Sequence, residues 1–570
     1  MPITRRNLLL SAAALPLAQG ALTALSASPA AAASAPGDVV GKITVGYQGW
    51  FACIGDGAPI DAWWHWSNDE SEAPSPSNNN IKAWPDMTIY AKGYQTAYAN
   101  LGDGQPATLF SSVDQQVVNT HFSLMQQNGC DTAALQRFDP NGSEGPSRNE
   151  VTGMVNTAAQ TYDRKFYIMY DATGWTNMAT EMPTDWTNVM SQYASSSAYA
   201  HQNGKPVVGI WGFGFNDANH PWDAADCLSV IQWFQSQGCY VMGGVPTYWR
   251  TGVSDSRAGY LGVYSAFNML SPWMVGRIGS ASDSDNFYTN VNVGDQSYCN
   301  SNNIDYQPCV LPGDLSASQR VHGDFMWEQF YNMVRVGAQG IYISMFDEYG
   351  EGNQIVNTAA TQAGVPTNSG LQSLDQDGTA CSADYYLRLT NDGGRMLKGQ
   401  IALTNVRPTA PVLSGEGPYG GAAAAVPGTV QAENYDTGGQ GVAYSVTSVN
   451  GSGNSYRSDG VDLETTTDTG GGYDLGWTAT GQWFKYTVNV ATAGTYQISF
   501  RVAAPSAVTD AFHVSNASGT NLSGSVNVAA TGGWQTWVTV TANVTLPAGV
   551  QTLTLNQDNG GWNINYLTIS

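Results

Sequence analysis

Positive charge is the scarcest commodity in this chain: Lys and Arg total 22 against 45 Asp and Glu, a net charge of −23 over 570 residues. Nucleic acid and anionic membrane surfaces both demand a basic face, so both are excluded as partners. Histidine numbers only 6, with no H-x-H or H-E-x-x-H spacing, which argues against a metal-dependent hydrolase. No G-x-G-x-x-G follows the first strand-like segment, which removes the usual dinucleotide fingerprint. Long apolar runs are missing too: the one at the N-terminus is broken by Pro16, Gln19 and Gly20, short of the ~20 residues a membrane span needs. The seven cysteines (53, 130, 227, 239, 299, 309 and 381) follow no C-x-x-C or zinc-knuckle spacing.

The N-terminus resembles a twin-arginine export signal over residues 1–35. Thr4-Arg-Arg-Asn-Leu-Leu-Leu10 precedes an apolar stretch, and small residues from Ala27 to Ala35 supply a cleavage region near Ala33 or Ala35. This predicts a secreted, extracellular chain with no membrane anchor. In an oxidising compartment disulfides are the default, and Cys227 with Cys239 and Cys299 with Cys309 are the pairings considered, one thiol at least remaining free.

What the chain has in plenty is aromatic surface and glycine: 18 Trp, 29 Tyr and 64 Gly. Such rings stack on the faces of sugars. Strand-like segments recur at 42–47, 132–138, 165–171, 206–213, 239–245, 270–278 and 340–346, with helix-like stretches at 114–128, 151–162, 184–200, 223–237 and 318–336 between them. Alternation of this kind implies parallel strands, and its length suits a (β/α)8 TIM-type barrel over residues 38–403, an open doubly wound sheet being the alternative. Residues 404–427 are rich in Pro, Gly and Ala and read as a linker. Residues 428–570 carry short alternating runs without helices, which means an all-β sandwich.

In a parallel barrel the chemistry sits where strands end. The candidates there are Tyr47, Trp50, Trp64 and His65, Arg137, Asp171, Trp211 and Tyr248 for substrate binding. The strongest stretch is Ile341-Tyr-Ile-Ser-Met-Phe-Asp-Glu-Tyr-Gly-Glu351, where a buried run ends in three carboxylates. Glu348 and Glu351 are the catalytic candidates, because two carboxyl groups can flank one glycosidic bond as acid and as base or nucleophile. An E-x-x-E alone also describes a solvated acidic loop, and a non-catalytic sugar-binding protein is the reading of a different class.

The C-terminal part resembles a family 6 carbohydrate-binding module. The resemblance runs through Val426-Pro-Gly-Thr-Val-Gln-Ala-Glu-Asn-Tyr435, Tyr456-Arg-Ser-Asp-Gly-Val-Asp462, Asp468-Thr-Gly-Gly-Gly-Tyr-Asp-Leu-Gly-Trp477, Gly532-Gly-Trp-Gln535 and Gly561-Trp-Asn-Ile-Asn-Tyr566. It implies a jelly roll in which Tyr456 and Trp534 sandwich a sugar, Asn563 bonds its hydroxyls, and Gln431, Glu433 and Asn565 hold a structural calcium ion. Asn565 stands where several members carry Asp. The N-terminal part is similar to glycoside hydrolases of families 71 and 99 and to proteins labelled xylosidase/arabinosidase. The likeness rests on Gly46-Tyr-Gln-Gly-Trp-Phe51, Gly204-Lys-Pro-Val-Val-Gly-Ile-Trp-Gly212 and Ser344-Met-Phe-Asp-Glu-Tyr-Gly-Glu-Gly-Asn-Gln-Ile355. The last resembles the family 99 pattern Asn-Glu-Trp-His-Glu-Gly-Thr-Gln-Ile. That resemblance implies that Glu348 assists attack by the substrate 2-hydroxyl and that Glu351 is the acid and base. Asp347, Tyr349, Gly350 and Asn353 depart from the pattern, so linkage and sugar do not carry over. The combined expectation is a monomeric secreted glycoside hydrolase that binds a polysaccharide and cuts an α-linked glycan of mannan or glucan type with retaining chemistry. Xylosidase/arabinosidase activity on hemicellulose is the alternative, and no cofactor is expected for catalysis.

Overall fold

The computed structural model describes residues 34–412, 415–446, 456, 457, 459, 461–469 and 471–570. All but the last two residues of the expected export signal lie outside the described residues. Two separate hydrophobic cores form, one running from Val39 to Met396 and the other from Val426 to Ile569.

The first core is built on a ring of parallel strands. Its members are β1 (Ile43–Tyr47), β2 (Thr132–Arg137), β3 (Lys165–Asp171), β4 (Lys205–Trp211), β5 (Tyr240–Val245), β6 (Met269–Pro272), β7 (Asp305–Tyr306), β8 (Cys309–Val310) and β9 (Ile341–Ile343). Every residue of β1, β2 and β5 is buried, as expected of strands covered on both faces. β7 and β8 are halves of one extended segment: Asp305 pairs with Met269 of β6, and Cys309 pairs with Tyr342 of β9. β9 in turn pairs with β1, Ile43 opposite Ile341, so the parallel strands close into a ring. The 305–310 segment escaped the sequence reading because Pro308 splits it into pieces too short to show a period. The strand expected over 270–278 stops at Pro272, which has no N–H to extend the ladder.

Helices Gln115–Gln127, Gly145–Thr161, Ala224–Ser236 and Asp324–Val336 fall where helices were expected. The Asp223 side chain accepts from the Asp226 N–H and starts its helix cleanly. The last helix begins six residues later than expected because Ser318, Val321, His322 and Gly323 take left-handed backbone angles. The helix expected over 184–200 is a correction. Met178–Asp185 is α-helical with Pro183 inside it, and the chain then loosens at Trp186–Met190 and tightens at Ser191–Ser195.

The second core lies between two six-stranded sheets. Strand Trp483–Val490 alternates between half-exposed and buried residues, sending Phe484, Tyr486 and Val488 inward. It runs antiparallel to Gly549–Gln557. In the other sheet Gly494–Ala503 pairs antiparallel with Trp537–Leu546 and with Asn563–Ile569. The stretch read as a linker is tied down at both ends: Trp327 Nε1 donates to the Thr404 carbonyl, Arg407 pairs with Asp324, and Ala424–Val426 forms a ladder with Trp483–Val490.

All seven cysteines are buried free thiols, which corrects both disulfide pairings. They behave as small apolar core residues, and burial pushes the Cys309 thiol up to about 11.

Candidate functional site

Two turns meet at the C-terminal end of the ring. One follows β1 and carries Gln48, Gly49 and Trp50; the other follows β9 and carries Asp347, Glu348 and Glu351. Asp347 is fully buried, and its two oxygens accept the backbone N–H groups of Gln48 at 2.7 Å and Gly49 at 2.8 Å. Gly49 has φ +54°, which only a residue without a Cβ adopts at little cost. Buried Arg148 clamps the outer side of the same turn, donating from Nη1 to the Gln48 and Gly49 carbonyls and from Nη2 to the Gln136 carbonyl. The β9 turn closes on itself through Asn353 N–H to the Glu348 carbonyl and Ile355 N–H to the Met345 carbonyl.

This frame holds Glu348 at 4% exposure, with Oε2 accepting from Gln48 Nε2 at 2.8 Å and Oε1 from the Glu351 N–H at 3.2 Å. Burial first, and then the charges of Glu351 and Asp347, push its carboxyl up to about 8. Burial likewise raises Asp347 to about 6 against the pull of its two backbone donors and Arg148. Glu351 stands at the exposed rim, where crowding by the protein raises its carboxyl and Lys82 opposes the rise.

Glu348 and Glu351 open into a cleft of about 250 Å³ lined also by Gln48, Trp50, Gln136, Phe138, Asp171, Thr173, Trp211, Trp273 and Met345. Of the residues singled out in the sequence, Trp50, Asp171, Trp211, Glu348 and Glu351 meet here. Others do not. Tyr47 is buried against Phe122 and Phe346, and its hydroxyl bonds to His121 Nδ1 at 2.9 Å. Arg137 is buried in a two-pronged ion pair with Asp185, Nε to Oδ2 at 2.6 Å. His65 stacks on Trp50 with ring centres 3.6 Å apart and supports that ring instead of reaching into the cleft. Trp64 turns its Nε1 to Glu144 at 3.4 Å, and Tyr248 packs on Phe287, both off the cleft wall. Gln48, Gln136, Phe138, Thr173, Trp273 and Met345 are the wall residues that were not among the sequence candidates.

The second core carries its own candidate surface. Trp534 is 49% exposed, and its carbonyl accepts from Asn563 Nδ2 at 3.2 Å. Asn563 Nδ2 also donates to Glu464 and Asp474, the latter pushed by burial up to about 7. Trp477, also 49% exposed and with φ +49°, follows Gly476, where an added Cβ would lie 3.3 Å from Asn563 Oδ1. The Tyr456 hydroxyl donates to Asn434 Oδ1 at 2.9 Å, and its ring centre is 5.0 Å from that of Tyr473. Trp477, beside Asn563, was not among the sequence candidates. Its exposed aromatic ring after a glycine was the available signal.

Gln431 ends strand Gly428–Gln431, and Glu433 lies in the turn beyond it. Glu433 Oε2 and Asn565 Oδ1 are buried without a hydrogen-bond partner, while Asn565 Nδ2 donates to Asp468 Oδ2 at 3.1 Å. Among the described residues no three His, Cys, Asp or Glu side chains converge. A cation here would therefore rest on amide and carbonyl oxygens beside one carboxylate, a donor set that suits calcium.

Comparison with known proteins separates the two halves. Residues 452–570 match the family model of the carbohydrate binding module (family 6). The clotting factor G alpha subunit of Tachypleus tridentatus is 34% identical over 116 residues, 20% of this chain and 17% of that protein. The chain therefore spans about a sixth of that curated relative. A carbohydrate binding module from Cellvibrio mixtus lichenase 5A, solved with cellotriose, is 34% identical and covers 25% of this chain and 97% of its own, with a TM-score of 0.20. The N-terminal region is similar to the GH99 endo-alpha-mannosidase from Bacteroides thetaiotaomicron, at 13% identity over 63% of this chain and 98% of that one, with a TM-score of 0.47.

Proposed function

We propose that the chain is a secreted glycoside hydrolase that holds a polysaccharide through its C-terminal jelly-roll module and hydrolyses an α-linked glycan of mannan or glucan type in the N-terminal cleft. The observation that carries this reading is the carboxyl pair on one short turn, Glu348 raised to about 8 on the floor and Glu351 raised at the rim, within an aromatic-walled cleft. With Glu348 raised to about 8, the empty cleft near neutrality holds a proton on Glu348, so a carboxylic acid stands beside a second carboxyl group on the same turn. In the retaining reading the proton that Glu348 holds in the empty cleft passes to Glu351 as the sugar binds, and Glu348, then a carboxylate, takes the proton of the sugar 2-hydroxyl as that oxygen attacks the anomeric carbon. Glu351 protonates the departing glycosidic oxygen; water then opens the 1,2-anhydro ring so formed, giving its proton to Glu351 while Glu348 returns its proton to the 2-oxygen. Trp50, Trp211 and Trp273 supply stacking faces, and Asp171 an acceptor for sugar hydroxyls.

Release of reducing sugar from α-mannan, α-1,3-glucan, xylan, arabinan and β-glucan tests the proposal, with wild type compared against Glu351→Gln. Release by wild type and a loss of ~10²-fold or more in the variant is the expected result. No release from any of the five, with polysaccharide binding intact, would mean a binding protein with a silent barrel. Export rests on the Arg5-Arg6 signal, and recovery of the chain outside the cell should fail when both are changed to Lys.

In the module, Trp477 and Trp534 would flank the sugar and Asn563 would bond its hydroxyls, while Gln431, Glu433 and Asn565 would hold a calcium ion. The orphaned oxygens of Glu433 and Asn565 support that assignment. The ion would be structural, joining the turn at Glu433 to strand Asn563–Ile569.

A further inference from the structure

Beside the carboxyl pair, the cleft wall holds a second polar constellation formed by the loops after β3 and β4. His220 is 5% exposed, wedged among Phe215, Trp211 and Trp222 with ring centres 5.1, 5.4 and 5.7 Å away. Both of its nitrogens are engaged: Nδ1 lies 2.7 Å from Asp217 Oδ1, and Nε2 lies 3.1 Å from the Thr173 hydroxyl. Thr173 is exposed and lines the cleft next to Asp171. Its N–H donates to Asp171 Oδ1 at 2.8 Å.

A hydroxyl, an imidazole and a carboxylate in this order are also the parts of a nucleophilic triad, but the surroundings deny that chemistry. The two N–H groups nearest the hydroxyl are already spent, that of Thr173 on Asp171 and that of Gly174 on the Asn219 carbonyl. No oxyanion could be received there, and the Asp171 carboxylate would repel one. What the chain of bonds does instead is fix polarity. A carboxylate only accepts, so Asp217 holds an imidazole proton on Nδ1; when the ring carries that proton alone, Nε2 accepts the Thr173 O–H. Thr173, whose side chain also lies against the Asp171 carboxylate, is left presenting oxygen lone pairs to the cleft beside that carboxylate.

We propose that Asp217 and His220 are positioning residues that lock Thr173, together with Asp171, into a pair of hydrogen-bond acceptors for two neighbouring free hydroxyl groups of a bound sugar. The proposal rests on the sugar-cleft reading above and names what that cleft selects. A sugar whose hydroxyls at these positions are O-methylated or O-acetylated has no proton to offer and leaves both acceptors buried without a partner. A site built in this way rejects such analogues strongly.

The test uses the full chain carrying Glu351→Gln, to stop turnover, and Trp534→Ala, to silence the module. Binding of α-1,6-linked mannotetraose and of nigerotetraose is measured by calorimetry with Thr173, Thr173→Ser and Thr173→Val. Thr173→Ser should bind within about twofold of the parent, and Thr173→Val should weaken binding about tenfold. In otherwise unmodified enzyme the same Val change should raise KM with kcat little altered. Unchanged affinity in Thr173→Val overturns the proposal while leaving hydrolysis untouched. A separate readout needs no sugar: nitrogen NMR of the ligand-free chain should find the His220 ring protonated at Nδ1 and bare at Nε2. The opposite tautomer overturns the proposal even if every polysaccharide in the hydrolysis panel proves inert, and the expected tautomer upholds the relay in that case.

Discussion

A carboxyl group on the floor of a cleft shapes stability as well as chemistry, and Glu348 makes the trade measurable. Its folded value is raised to about 8, while the unfolded chain titrates near the ordinary glutamate value of ~4.3. Below the unfolded value both states hold the proton and nothing is lost. As pH climbs from there, the unfolded state gives up its proton first, so stability declines until pH passes the folded value near 8. Gln cannot ionise and retains an amide that can face Gln48. Glu348→Gln should therefore raise the melting temperature by on the order of 5 °C at pH 9 and by no more than about 1 °C at pH 4. Equal melting curves at both pH values would show that Glu348 is not held protonated by burial. The same change should abolish turnover, the usual exchange of activity for stability at a strained site.

At the scale of elements, strand ends were readable and side-chain parity was not. β1 to β5 and β9 were located within a few residues because their apolar runs are continuous. Trp50, Asp171, Trp211, Glu348 and Glu351 were found because they follow those runs. Tyr47 and Arg137 failed for one shared reason. Successive residues of a strand point to opposite faces, and these two turn outward to the helix layer, Tyr47 to His121 and Arg137 to Asp185, while Gln136 turns inward to the cleft. Burial on both faces erases the alternation that would have revealed this. Trp273 was hidden inside a strand drawn four or more residues too long. In the module the open question at this scale is the calcium ion, which would bridge a turn to strand Asn563–Ile569. Chelation with EDTA should lower the melting temperature of the C-terminal half by about 5 °C or more, with recovery on adding Ca²⁺ but not Mg²⁺. A melting curve indifferent to chelation and to calcium would remove the ion from this site.

At the scale of the whole chain, two independent cores place the proposed cutting cleft and the proposed sugar-binding surface on one polypeptide, and that covalent link has a calculable effect only where the substrate is a surface. A module bound to insoluble polysaccharide holds the cleft at a high effective concentration of bonds, with no new contact to the bond being cut. A short soluble chain offers no second place to hold, so the module should be irrelevant to it. Trp534 is the residue on which this argument can be tried, since it is half exposed, stands beside Asn563 and is far in sequence from every residue of the cleft. Trp534→Ala should raise KM on insoluble glycan about tenfold while leaving kcat/KM on a soluble tetrasaccharide within about twofold. Equal losses on both substrates would tie Trp534 to the folding or chemistry of the barrel. No loss on either would show that the module serves a ligand other than the glycan that the barrel cuts.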